Sequence, residues 1–103
     1  KKAGLNLTTV LEVAAVADFK TPIYAGVGAG VIKGDYEVNF PLKLMLKDAK
    51  LIQAFANRLD SPVSVAITTE ELAKEGVDAG MGELNASAIV KVISNRAGVD
   101  LSE

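Results

Sequence analysis

Apolar positions recur at helical intervals in five stretches of this chain. The longest is Phe40–Leu59, FPLKLMLKDAKLIQAFANRL, which Asp60-Ser-Pro62 stops. Placed 100° apart on a wheel, Leu44, Leu51, Ile52, Phe55 and Leu59 share one arc, an apolar stripe of the kind a helix buries. Asp48 falls within that arc, about 40° from Leu44, and Lys47 lies about 60° to the other side, where Lys43 and Lys50 begin the polar face. A carboxylate inside an apolar stripe has to be paired, hydrogen-bonded or neutralised. Asp48 is therefore the one charge whose position asks for an explanation.

The remaining pattern gives shorter helices. Residues 1–4 read as the end of an earlier helix broken at Gly4. Asn6 then caps a helix over about 7–17, with Leu7, Val10, Leu11, Ala14 and Ala15 on its apolar side. Thr21-Pro22 opens a second helix, which runs to Lys33 and ends at Gly34. After Ser61-Pro62 the pattern resumes through Val65, Ile67, Leu72, Ala73 and Val77, weakened at Gly76 and ended by Gly80 and Gly82. Asn85 caps a last helix, ASAIVKVISNR, with Ile89, Val90 and Ile93 inward, and Val99–Glu103 reads as a loose tail. Val63–Ile67 is β-branched enough for a strand but has nothing to pair with. The fold class is all-α: a compact bundle of about five helices in a single domain, 1–103.

Composition narrows the function. At 103 residues, 50% hydrophobic and 5% aromatic, the core must be built from Leu, Ile, Val and Ala. A net charge of −2 offers no basic footprint for nucleic acid. The chain has no Cys, which fits a cytoplasmic setting, and no His, which removes the commonest general base and metal ligand. No apolar run approaches the roughly 18–20 residues of a membrane span. The chain begins without Met and reads as a piece of a longer polypeptide.

Several motifs have plain explanations. Gly26-Val-Gly28-Ala-Gly30 is G-x-G-x-G rather than G-x-G-x-x-G, and no strand precedes it, so close helix approach explains it better than a dinucleotide loop. Glu70-Glu71 and Glu75/Asp78 read as solvated faces, with Glu70 and Glu71 within reach of Lys74. Ser87 and Ser94 have no His for a triad. Lys47-Asp48 remains, and its structural alternative is a surface lysine beside an aspartate bridged to Arg58 or Arg96. Phe40, beside Pro41 just before the helix, could flank a ligand at a helix N-terminus, where orphan amides and the dipole suit anions.

Gly34-Asp35-Tyr36, then Phe40, then LKLMLKDAKL resembles the C-terminal helical domain of the β-hydroxyacid dehydrogenases, such as 3-hydroxyisobutyrate dehydrogenase, tartronate semialdehyde reductase and the glyoxylate/succinic semialdehyde reductases. Ala3-Gly-Leu-Asn-Leu with Val10-Leu-Glu-Val, and Gly80-Met-Gly82 followed by Asn85 and Ser87-Ala88, carry the likeness over nearly the whole chain. The resemblance implies a bundle like the C-terminal domain of 6-phosphogluconate dehydrogenase, partnered by a Rossmann domain of the same polypeptide, with NAD or NADP as cofactor and a small hydroxyacid as substrate. It implies that Lys47 reaches the cofactor, that Phe40 lines the closed cleft and that Asp48 supports it. It further implies homo-oligomers, and the apolar surface exposed where the family's interdomain helix would pack predicts self-association of the isolated piece. The family's catalytic lysine lies upstream in a K-x-x-x-N helix that Lys2 and Asn6 match only by accident, so this piece alone is expected to be inactive. Where the family usually has aspartate, Asn85 stands here. The rival expectation is a helical interaction module that kept the fold and lost the chemistry.

Overall fold

In the computed structural model, which describes residues 1–18 and 20–102, five α-helices are formed: α1 (Leu7–Val16), α2 (Pro22–Lys33), α3 (Leu42–Arg58), α4 (Ser64–Gly76) and α5 (Ile89–Ala97). A π-helical turn, Val77–Met81, extends α4, and a 3₁₀ turn, Ala86–Ala88, leads into α5. Among the described residues no strand forms, and Val63–Ile67 lies at the start of α4. The all-α reading is correct. The helices fall into two compact units, Lys1–Tyr36 with the stretch from Ile93 onward, and Glu37–Val92.

In the first unit, local chemistry sets the helix ends. The Asn6 side chain accepts the Thr9 N–H at 2.8 Å, and the Thr21 hydroxyl accepts the Ile23 N–H at 3.3 Å with Pro22 at the first helical position. Gly34 ends α2 with φ +69°, a left-handed conformation that costs a glycine little. Gly28 meets α1 closely, since a Cβ there would lie 2.7 Å from Leu11 Cδ2. Gly26 faces open space, so the close-approach reading of the glycine run holds for Gly28 and not for Gly26.

Two expectations at the termini are corrected. Residues 1–4 form a turn closed by the Gly4 N–H on the Lys1 carbonyl at 2.8 Å, not a helix end. The Lys2 ammonium donates to the Ala97 carbonyl at 3.0 Å, placing a cation at the negative end of α5. The stretch after Gly98 is not loose either. The Val99 N–H donates to the Ser94 carbonyl, Ser102 closes onto the Asp100 carboxylate, and the Ser102 Cβ lies 3.9 Å from where a Gly34 Cβ would be. Glu103 lies outside the described residues. Partial burial, and secondarily the Asp100 charge, hold the Tyr36 phenol above its ordinary value of 10.0.

The second unit is built on small residues. α3 packs on α4 and buries Leu42, Ala49 and Ala56, one residue every two turns, against a face carrying Ala73 and Gly76. Ala86, Ala88 and Val92 complete the interior. The arc singled out on the wheel lies on the other side of α3: Leu51, Ile52, Phe55 and Leu59 are all more than half exposed. The wheel groups residues correctly but does not say which face the chain's own neighbour covers. In α5, Val92 is buried in this unit and Ser94 in the first, whereas Ile93 is exposed. Lys74 pairs with Asp78 rather than with Glu70 or Glu71, and Glu70 accepts a hydrogen bond from Gln53 across the α3–α4 contact.

Gly76 lies inside this contact, where a Cβ would come 2.7 Å from Leu42 Cδ2 and 3.4 Å from Val92 Cγ2. Leu42 is fully buried, so making room for the Cβ means displacing its methyl within a packed interior. Gly76→Ala is therefore expected to destabilise by about 1 kcal/mol, because overpacking of about 1–3 kcal/mol exceeds the roughly 1 kcal/mol gained in helix propensity. Thermal unfolding checks the sign, and a rise in Tm would refute the packing argument. A second expectation concerns Tyr36. In a Tyr24→Phe background, the phenol's ultraviolet titration midpoint should lie above 10 and fall on Asp100→Asn. A raised folded pKa means that Tyr36 leaves stability intact below pH 10 and lowers it as the pH climbs through the folded value.

Candidate functional site

The start of α3 is held by the segment that follows the π turn. The Leu42 N–H donates to the Leu84 carbonyl at 2.8 Å, and the Lys43 N–H to the Gly82 carbonyl at 3.0 Å. The Leu44 and Met45 N–H groups reach the Pro41 carbonyl. The first amides of α3 are thus occupied within the protein. This corrects the expectation that they offer an orphan cradle for an anion.

Just upstream, Phe40 is fixed through its backbone. The Asn85 Oδ1 accepts the N–H groups of Asn39 at 3.3 Å and Phe40 at 3.2 Å, while the Phe40 carbonyl accepts the Ala86 N–H at 2.7 Å. The Asn85 Nδ2 donates to the Ser87 hydroxyl at 2.8 Å, which orients the amide. Asn85 makes no side-chain cap bond to its own helical turn, so its predicted capping role is corrected: it holds the opposite chain instead. The sequence offered Asn85 as a cap and, through the resemblance, as the position where the family usually has aspartate; it did not show the contact with residues 39 and 40. Phe40 as a residue is 41% exposed.

Lys47 and Asp48 lie on α3, with Lys47 five residues beyond Leu42, roughly 7.5 Å along the axis. The Lys47 Nζ is 3.0 Å from the Asp48 Oδ1, and the two side chains are 57% and 48% exposed. Asp48 is thus partnered by its own neighbour and sits on a half-exposed face, not within a buried stripe. The structural alternative is met in its surface lysine beside the aspartate but not in a bridge to Arg58, which lies over the Phe55 ring, 5.6 Å from its centroid. Adjacent residues on a helix diverge, and an exposed pair is worth about 0–1 kcal/mol, so an incoming anion can take Lys47 from Asp48 at little cost. Lys43 is committed to Glu83.

The chemistry offered is one exchangeable ammonium and one aromatic ring on a fixed backbone. Gly26–Gly30 lies within α2, not at a strand-to-helix turn, so it forms no pyrophosphate loop. These residues fit contact with a cofactor whose phosphates are cradled elsewhere. Among the described residues no group of three or more His, Cys, Asp or Glu could hold a metal ion, and no helix is long and apolar enough to cross a membrane.

Comparison with known proteins adds four findings. The family model described as NAD-binding of NADP-dependent 3-hydroxyisobutyrate dehydrogenase matches residues 1–93. Glyoxylate/succinic semialdehyde reductase 1 of Arabidopsis thaliana is 29% identical over 92 residues, covering 89% of this chain and 32% of that protein. The cytokine-like nuclear factor N-PAC of Anopheles gambiae is 31% identical, over 85% of this chain and 16% of its own length. In structure, a crystal structure of 3-hydroxyisobutyrate dehydrogenase from Salmonella typhimurium aligns with a TM-score of 0.82 at 25% identity, covering 88% of this chain and 32% of that one. The chain spans about a third or less of these relatives.

Proposed function

The chain belongs to the NAD-binding family of NADP-dependent 3-hydroxyisobutyrate dehydrogenase, and from that premise we propose that it is the C-terminal, substrate-side domain of an NAD(P)-dependent β-hydroxyacid dehydrogenase. In this reading a Rossmann domain of the same polypeptide cradles the dinucleotide, and the enzyme oxidises a small β-hydroxyacid or reduces the matching semialdehyde. The nicotinamide supplies hydride transfer when bound. This chain contributes the wall that closes on it. Lys47 gives a positive charge to a phosphate- or ribose-bearing edge, Phe40 excludes water, and Asp48 holds Lys47 in place between turnovers. The catalytic lysine comes from outside this segment; Lys2 is engaged with Ala97, and Asn6 caps α1. The segment by itself is therefore inactive.

The observation that carries this reading is the exposed, exchangeable Lys47 on the helix that begins at a backbone-fixed Phe40. In the complete protein, Lys47→Ala should raise the cofactor KM about tenfold, the loss of one charge-assisted contact, with the fold intact. An unchanged cofactor KM would count against the assignment.

The likeness to a protein named as a nuclear factor favours a second reading, a helical interaction module without chemistry. Both readings require the apolar face of Leu51, Phe55 and Leu59 to be covered, and oligomer formation by the dehydrogenase is the proposed cover. Phe55→Glu in the complete protein should then shift sedimentation toward smaller species. A full-sized assembly would remove this face from the interface.

A further inference from the structure

We infer that Asn85 is a positioning residue that sets Phe40 in the cofactor cleft, a role that rests on the reading just proposed. Pro41 has no N–H and is followed by the tightly held start of α3, so the Phe40–Pro41 segment cannot be fixed by its own next amide. The fixing comes from the facing chain. One carboxamide oxygen takes both the Asn39 and Phe40 N–H groups, and the neighbouring Ala86 N–H takes the Phe40 carbonyl. The Phe40 backbone is thus gripped on both sides by residues 85 and 86, while the residue as a whole stays 41% exposed. The Ser87 hydroxyl accepts from the Asn85 Nδ2, so the oxygen is turned to the two amides.

Removing the Asn85 side chain frees two N–H groups but leaves the bonds of Leu42, Lys43 and Ala86 that define the start of α3. The fold should survive while the Phe40 backbone loosens. An aspartate could serve as well: one oxygen would accept both amides and the other would accept the Ser87 hydroxyl proton. An apolar side chain of similar size could not.

The test uses the complete protein with its nicotinamide cofactor and reads three quantities: hydrogen exchange at the Asn39 and Phe40 amides, the cofactor KM, and cooperative unfolding. Asn85→Ala should speed exchange at those two amides, raise the cofactor KM about fivefold, a fraction of what two lost hydrogen bonds could cost, and leave unfolding cooperative. Asn85→Asp should restore slow exchange and KM, whereas Asn85→Leu should not. In a Phe40→Ala background, Asn85→Ala should add nothing to KM. Unchanged exchange would overturn the clamp. Faster exchange with an unchanged KM, or an additive effect on top of Phe40→Ala, would reduce Asn85 to a structural residue. If Phe40→Ala and Lys47→Ala also left KM unmoved, the cleft assignment itself would fall, and that pattern differs from failure of the Asn85 role alone.

Discussion

Leu42 ties together three parts of the second unit. Its side chain is fully buried against Gly76 and near Val92, and its amide is held by the Leu84 carbonyl. Burial of one leucine is worth about 1.5–3 kcal/mol, and here it also fixes where α3 starts. Because the amide and the side chain are set together, α3 cannot slide along α4 without breaking the bond that defines its first turn. Everything proposed for Phe40 and Lys47 depends on that register, since one lies two residues before Leu42 and the other five after it.

The interior around Leu42 is made of alanine and glycine, and that choice has consequences on both faces of α3. Small residues let two helix backbones approach closely, but they bury little apolar area each. The larger residues, Leu51, Ile52, Phe55 and Leu59, are left outside, together with Val65 and Ile67 of α4. Covering the outer face would add apolar burial of large side chains that the alanine interior lacks. The same division explains why Asp48 tolerates its position. Its arc faces outward, where water and Lys47 solvate the carboxylate.

Much of the fold was legible in the sequence because local chemistry decided it. Asn6, Thr21-Pro22 and Gly34 mark helix ends that the structure places within about a residue. What was not legible was the choice of faces. A large apolar arc reads as inward unless one knows that a neighbouring helix brings glycine and alanine to the opposite side, and Gly76 looked like a weak point when it is the gap into which Leu42 fits. The C-terminal stretch read as loose because its contacts, to Gly34 and Tyr36, come from residues distant in sequence. For the site, the residues Phe40, Lys47 and Asp48 could be named from their pattern. Their surroundings could not: the amides expected to be free are occupied, and the side chain that holds Phe40 lies 45 residues away.

That occupation narrows the electrostatic role open to α3. A helix N-terminus with free amides attracts an anion through several N–H groups and the helix dipole together. With the amides of Leu42 and Lys43 bound to carbonyls, the remaining attraction at this helix comes from its lysine side chains, Lys47 among them. A single flexible ammonium partly neutralised by Asp48 suits the proposed cleft wall better than a cradle that holds a cofactor throughout. The fixed backbone of Phe40 then supplies what Lys47 lacks, a defined position. Charge is left mobile and shape is held rigid, and the sequence places the two on either side of Leu42.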